Sequence, residues 1–315
     1  MSSKEMRISS AGRPLSPGAI ALMLMLCLSW GFNQIAVKLA LPDIPPMLQA
    51  MIRSIGALPV LLLIARLRGA KVFVRDGTLG AGLFAGLLFG VEFVMIFRGL
   101  QLTSASRAVV FLYTAPFFVA LGSYRFLGER LRAAQWGGLG LSFAGVALAP
   151  QADVDANVLL GDLLIVGGAA MWAATTLIAK GTALRKAPPE KALGYQVAMS
   201  IPILGLAAWL SGETLTRVPG PLALSLMVYQ AVWVVGLTFL LWFTLVQRYS
   251  ASKLSAFTFI TPLFGVVASY FILHDTLTPV FGAAALLVIS GLYLVNRPSP
   301  VVPVPADPLL TVTKT

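Results

Sequence analysis

The tightest constraint on this chain is a succession of apolar stretches, each about as long as a bilayer is thick, separated by short segments bearing charges, proline or glycine. They fall at 17–40, 46–65, 77–98, 107–124, 133–149, 159–180, 191–210, 221–246, 253–273 and 279–296. Hydrocarbon offers no hydrogen bonds, so each stretch must satisfy its own backbone, and a run of this length does so as a helix. The expected fold class is an all-α polytopic membrane protein of ten transmembrane helices. Composition agrees: 58% of residues are hydrophobic and 11% charged, with a mean hydropathy of +0.87, whereas soluble domains carry about 25% charged residues. Lys4, Arg7 and Arg13 before the first stretch mimic a signal peptide, but the stretch is too long and others follow, so it reads as a retained helix.

The chain is also written twice. Trp30 and Lys38 recur as Trp172 and Lys180 with the same spacing. Sliding 90–148 onto 236–294 without gaps aligns, among others, Gln101 with Gln247, Ser106 with Ser252, Pro116 with Pro262, Tyr124 with Tyr270 and Gly145 with Gly291. Such self-similarity in a polytopic chain is the mark of a transporter built from repeats. The expected organisation is an amino-terminal segment 1–16, a first five-helix repeat 17–149, a second 159–296, and a proline-rich tail 297–315 that favours extended chain.

Cations set the orientation. Of the 23 lysines and arginines, only Lys38, Arg53, Arg98, Arg107 and Arg217 fall on one face when the segments are assigned to alternating sides. Cytoplasmic loops hold the excess, so both termini are expected in the cytoplasm. Five spans per repeat is an odd number, so the second repeat enters the bilayer upside down relative to the first. Inverted repeats supply two interconvertible states, which expose a midplane site to one side and then the other.

Other function classes find little support. The net charge of +11 follows the loops, as the positive-inside bias requires, and does not suggest nucleic acid. A single cysteine, Cys27, excludes an internal disulfide and a thiolate cluster. No phosphate-binding Gly-x-x-x-x-Gly-Lys-Ser/Thr loop is present, and the one histidine, His274, lacks catalytic neighbours, so neither ATP hydrolysis nor an enzyme is expected. A channel or lipid scramblase stays open as an alternative. No cofactor or metal is expected; the partners are the bilayer and a small solute, with the chain working as a monomer or, alternatively, a homodimer.

The residues also resemble the drug/metabolite transporter superfamily, specifically its EamA-type ten-helix transporters. The resemblance rests on Ser29-Trp30-Gly31, on Thr114-Ala115-Pro116 running into Gly128-Glu129-Arg130-Leu131 and Trp136-Gly137-Gly138, and on the echo Thr261-Pro262-Leu263. His274-Asp275 departs from the family's Gly-Glu pattern in the second repeat. The resemblance implies secondary export of small metabolites across a bacterial inner membrane. Within the family the chain is most similar to amino-acid exporters, among them the YddG-type branch for aromatic and neutral amino acids; drug or other metabolite permeases are the alternative.

Polar groups inside the spans are the candidate site, because they are costly in lipid and must face a partner or a wet cavity. Trp30, Asn33 and Gln34, their counterparts Trp172, Thr175 and Thr176, and Tyr113, Tyr229, Gln230, Trp233 and Thr258 combine flat apolar surface with few polar atoms, which suits a neutral, partly apolar solute. The alternative is that these groups only tie helices together. Pro116 and Pro262 break the helical ladder at equivalent points, as hinges or as static bends. Lys38 and Lys180 could act at gates or snorkel to headgroups. Glu92 and Arg53 form a neutralising pair, or Glu92 titrates and couples transport to protons. Glu129 and Asp275, ahead of the next spans, read as acids at helix amino termini.

Overall fold

The computed structural model describes residues 15–103, 105–148, 156–273 and 279–297. The expectations for most of the amino-terminal segment, the proline-rich tail and the turn at His274-Asp275 lie outside these residues. Every regular element described is helical. In chain order they are α1 (Pro17–Ala40), α2 (Pro46–Leu67), α3 (Leu79–Leu102), α4 (Arg107–Leu127), α5 (Ala133–Ala147), α6 (Ala156–Gly181), α7 (Pro189–Leu210), α8 (Pro221–Arg248), α9 (Ala251–Ile272) and α10 (Pro279–Asn296).

Nine of these are long and apolar enough to cross a membrane. The exception is α5, with 15 residues, short of the roughly 20 that a straight span needs. The apolar run expected to 149 is helical only to Ala147. This helix is rich in glycine and lies along α10, where backbone meets backbone. A Cβ on Gly138 would fall 2.6 Å from the Gly291 carbonyl oxygen, and one on Gly145 2.7 Å from that of Ala284.

Local sequence explains where helices start. Ser16 accepts from the Ala19 amide and Pro17 sits at the first turn, where its missing N–H is no loss. Helices α2 and α7 are built alike: each has 22 residues, begins on a Pro-Pro pair and carries an internal proline, Pro59 or Pro202, at the same position. They pack on each other, and Ser54 and Ser200 hydrogen-bond across the contact at 3.0 Å. This matched pair escapes the gapless sequence alignment because the spacing between the helices differs from the 146 that serves 90–148.

The loops segregate to two ends. At one, Arg68 pairs with Glu190 at 2.8 Å, Lys191 with Asp76 at 2.8 Å, and Gln247 donates to the Leu184 and Ala187 carbonyls. Ser16 and, through Gln135, the Val295 carbonyl also join this cation-rich end. At the other, Glu213 accepts from the Met47 and Leu48 amides at 3.0 Å each, capping α2 from the α7–α8 loop, while Asp43 holds Arg217 and the Gly220 amide. Asp162 there takes Thr103 at 2.8 Å and Arg107.

Close packing of α3 on α7 depends on a glycine stripe. A Cβ on Gly82 would stand 2.2 Å from Tyr195 Cδ2, one on Gly86 2.6 Å from both Met199 Cβ and the Tyr195 carbonyl, and one on Gly90 2.7 Å from Ile203. Small residues allow this approach, and dispersion and backbone contacts hold helices together where lipid supplies no hydrophobic drive. Gly86→Leu should therefore lower stability by about 1–3 kcal/mol, whereas Gly80→Leu, on the same helix with open space around it, should not. Thermal midpoints of the two variants in detergent check this; equal midpoints contradict the stripe.

Candidate functional site

Between α1, α3, α6 and α8 runs a continuous series of aromatic rings. Trp172 lies 6.4 Å from Trp242, Trp242 5.8 Å from Trp30, Trp30 6.1 Å from Phe239, Phe239 6.2 Å from Phe89, and Phe89 5.1 Å from Phe93, all as centroid distances. Both members of the repeated tryptophan pair thus reach the same ring, Trp242. Most contacts are edge to face, the arrangement that aromatic quadrupoles favour. The Arg53 guanidinium closes the series, with Cζ 4.3 Å above the Phe93 ring.

Helix α8 supplies the polar side. Tyr229–Thr238 is a π-helical segment of ten residues, a widened winding that occurs often at functional sites. Within it the Tyr229 hydroxyl donates to the Ser29 carbonyl at 3.0 Å, and Trp233 Nε1 to Ser29 Oγ at 3.0 Å. Thr238 Oγ1 accepts from Trp30 Nε1 at 2.9 Å. Gln230 donates to Gln49 Oε1 at 3.2 Å, and Gln49 itself donates to the Ile44 carbonyl. Ser29, Gln49 and Thr238 organise these contacts as partners of Trp30, Tyr229, Gln230 and Trp233; of the three, Thr238 is also a candidate by sequence.

Several buried polar atoms have no partner: Arg53 Nε, Glu92 Oε2, both amide atoms of Gln196, Gln230 Oε1 and Asn33 Oδ1. Arg53 and Glu92 are 5% and 6% exposed. They lie within Coulombic range of each other, as the neutralising pair requires, yet no salt bridge joins them. Unsatisfied polar groups in hydrocarbon are expensive, which makes these side chains candidates for the functional site. A concavity of about 570 Å³ lined by Asp76, Thr78, Thr182, Ala183, Lys186 and Ala187 lies apart, at the cation-rich end. Hydrogen bonds from Lys191 and Thr78 depress the Asp76 pKa there to about 2.

The remaining candidates are more scattered. Thr175 and Thr176 both donate to the Trp172 carbonyl, at 2.7 and 3.1 Å, within their own helix. Gln34 and Lys38 share an exposed face of α1. Tyr113 is buried against Phe259, at 6.2 Å, and Thr258 donates to the Ser255 carbonyl at 2.6 Å. The two prolines follow helix interruptions: α4 breaks at Tyr113 and Thr114 and resumes at Ala115, while α9 passes through a 3-10 turn, Thr258–Ile260, and resumes at Thr261. Thr114 Oγ1 takes up the Phe111 carbonyl at 2.6 Å.

Glu129 departs from expectation. It does not cap the helix that follows it, α5; its carboxylate caps α9, from the other half of the chain. Oε1 accepts from the Ala251 amide at 3.1 Å and from Lys180 Nζ at 2.7 Å; Oε2 accepts from the Ser250 and Ser252 hydroxyls at 2.7 and 2.9 Å and the Ser252 amide at 3.2 Å. Gly128, at φ 71°, makes the left-handed turn that ends the π-helical close of α4 and delivers this carboxylate. Lys180 also donates to the Tyr249 carbonyl. This buried latch ties α4, α6 and α9 together at the cation-rich end. Its sequence counterpart at the other end, Lys38, is exposed. Among the described residues no group of three or more His, Cys, Asp or Glu side chains is placed to hold a metal.

Burial raises the Glu129 pKa, but the charge and hydrogen bond of Lys180, then those of Ser250 and Ala251, outweigh it and hold the carboxyl below its ordinary value. A depressed carboxylate adds stability that is complete above the unfolded pKa, about 4.3, and is lost as pH falls below that through the folded pKa. Glu129→Gln should therefore lower the thermal midpoint at pH 7 and flatten its decline between about pH 5 and pH 3 relative to wild type. Superimposable midpoints for the two proteins across that range would mean the latch contributes nothing.

Comparison with known proteins agrees with this architecture. The EamA-like transporter family matches residues 17–149 and 159–297. An uncharacterized transporter of Bacillus subtilis, YvbV, is 30% identical over 283 residues, covering 88% of this chain and 91% of its own. A protein of Escherichia coli K12 named as a probable amino-acid metabolite efflux pump is 26% identical, covering 88% of this chain and 93% of its own. A solved crystal structure matches with a TM-score of 0.74 at 19% identity, over 87% of this chain and 96% of the other, a likeness of fold alone. Nine membrane-length helices, a shared aromatic and polar interior, and a family match to both halves lead to one conclusion: this chain is a membrane transporter belonging to the EamA-like transporter family.

Proposed function

We propose that this transporter exports neutral and aromatic amino acids by alternating access, from a central site between two inverted five-helix repeats, with both termini on the cytoplasmic side of a bacterial inner membrane. The observation that carries the reading is the inequality of the two ends. One repeat's lysine, Lys180, is locked under Glu129, while the other's, Lys38, stands exposed. Equivalent groups in unequal states are what a two-state carrier leaves when caught in one of them, here closed at the cation-rich end.

Repeat symmetry is supported by the contacts. Adding the offset of 146 to Gly138 and Gly145 gives Ala284 and Gly291, so the contacts Gly138–Gly291 and Gly145–Ala284 exchange with each other. Ser142 donates to the carbonyl of Val288, its own counterpart 146 residues on, as a residue beside a two-fold axis would. The fifth and tenth helices would flank that axis and exchange about it, and α5 would count as a short tenth crossing. The excess of cations favours a cytoplasmic position for the latched end. Export of amino acids is favoured by the aromatic lining around few polar atoms and by the name carried by the Escherichia coli and Salmonella typhimurium relatives, probable amino-acid metabolite efflux pump.

Proteoliposomes loaded with unlabelled amino acid should accumulate labelled phenylalanine or leucine by counterflow that saturates. Flux that rises without saturation would make the protein a pore, and uptake of sugars or nucleosides but not amino acids would change the substrate class. In a background lacking Cys27, a membrane-impermeant maleimide applied to intact cells should label Lys38→Cys and not Lys186→Cys. The reverse pattern would invert the orientation.

A further inference from the structure

We infer that Arg53 and Glu92 are the two jaws of a zwitterion clamp: Arg53 binds the α-carboxylate of the transported amino acid, Glu92 its α-ammonium, and the rings running from Phe93 to Trp30 receive the side chain. The inference rests on the amino-acid reading above and assigns the residues that recognise the part common to all such substrates. It starts from a pair of opposite charges that do not neutralise each other. Both side chains are more than nine-tenths buried, both retain an unpartnered polar atom, Arg53 Nε and Glu92 Oε2, and they share Coulombic range without a salt bridge. Two buried counter-ions with nothing to gain from separation would close into contact. Held apart, they present one donor and one acceptor of opposite sign to whatever enters between them.

The scaffold keeps the gap. Arg53 is fixed from one side by the Phe93 ring. On α2 its neighbour Ser54 is bonded to Ser200 of α7, and Gln49, one turn earlier, is held by Gln230 and the Ile44 carbonyl. Glu92 sits on α3, whose position is set by the close contacts of Gly86 and Gly90 with α7. An ammonium and a carboxylate on one carbon match this pair in sign, and the adjoining rings Phe93, Phe89 and Phe239 offer an apolar wall to the third substituent. A planar guanidinium suits a carboxylate, which it can hold bidentately. Neutral sugars or nucleosides would leave both charges buried and unpaired.

The test is competition against labelled-phenylalanine exchange in proteoliposomes containing the full chain. Three probes serve: phenylalanine, phenylalaninamide, which lacks the carboxylate, and 3-phenylpropionate, which lacks the ammonium. With wild type, each truncated probe should compete more weakly than phenylalanine, on the order of tenfold or more. Glu92→Gln should weaken phenylalanine and shift the ratio of affinities towards 3-phenylpropionate; Arg53→Gln should shift it towards phenylalaninamide. A pair that only balances charge predicts something else: both single variants lose all probes alike, and the double variant regains wild-type competition. That result overturns the clamp. So does equal competition by all three probes with wild type, which needs no variant to fold. Wild type that exchanges no amino acid while exchanging another solute class removes the amino-acid reading itself, an outcome separate from phenylalanine exchange indifferent to the two charges.

Discussion

Hydrocarbon cannot hydrogen-bond, and the rest of this structure follows from that. Every backbone amide must be satisfied within its own helix, and every buried hydroxyl or amide must find a partner inside the protein. Many threonines and serines of the spans obey it by bonding back to carbonyls of their own helices, as Thr175, Thr176, Thr244 and Thr258 do. Helix ends obey it by borrowing acids from elsewhere: Glu213 caps α2, and Glu129 caps α9. Against that background, Arg53, Glu92, Gln196 and Asn33 are among the buried side chains that the packing leaves with an unpartnered polar atom.

The same constraint explains how the helices meet. Where lipid is as apolar as leucine, association depends on close approach, and the glycines of α3, α5 and α10 permit contacts between backbones that a single methyl would prevent. The glycines of α3 bring it close to α7, the helix on which α2 also packs, so both helices that carry Arg53 and Glu92 are positioned against one neighbour.

Equivalence of sequence does not impose equivalence of environment. Trp30 and Trp172 both meet Trp242, but Trp30 donates to Thr238, whose counterpart in the first half is Glu92. Lys180 is buried under an acid while Lys38 is exposed. The two halves thus share their glycine contacts and differ at their polar positions, the inequality on which the proposed alternating access rests.

Hydropathy and charge were enough to establish the helical class, the helix limits within a few residues and the alternation of loops between two ends, because lipid penalises any other arrangement of such runs; they also picked out Trp30, Tyr229 and Gln230, which lie at least partly buried in the interior, and Trp233, which is exposed. Sequence could not reveal that Glu129 crosses to cap α9, that Gln34 and Lys38 turn away from that interior while Asn33 turns into it, or that α5 stops at 15 residues. Those outcomes depend on helix rotation and on contacts more than a hundred residues apart, which periodicity does not encode. The physical reason is that a bilayer acts on each span separately and so leaves its mark on local composition, whereas the choice of partner for a buried charge is made only when the spans pack together.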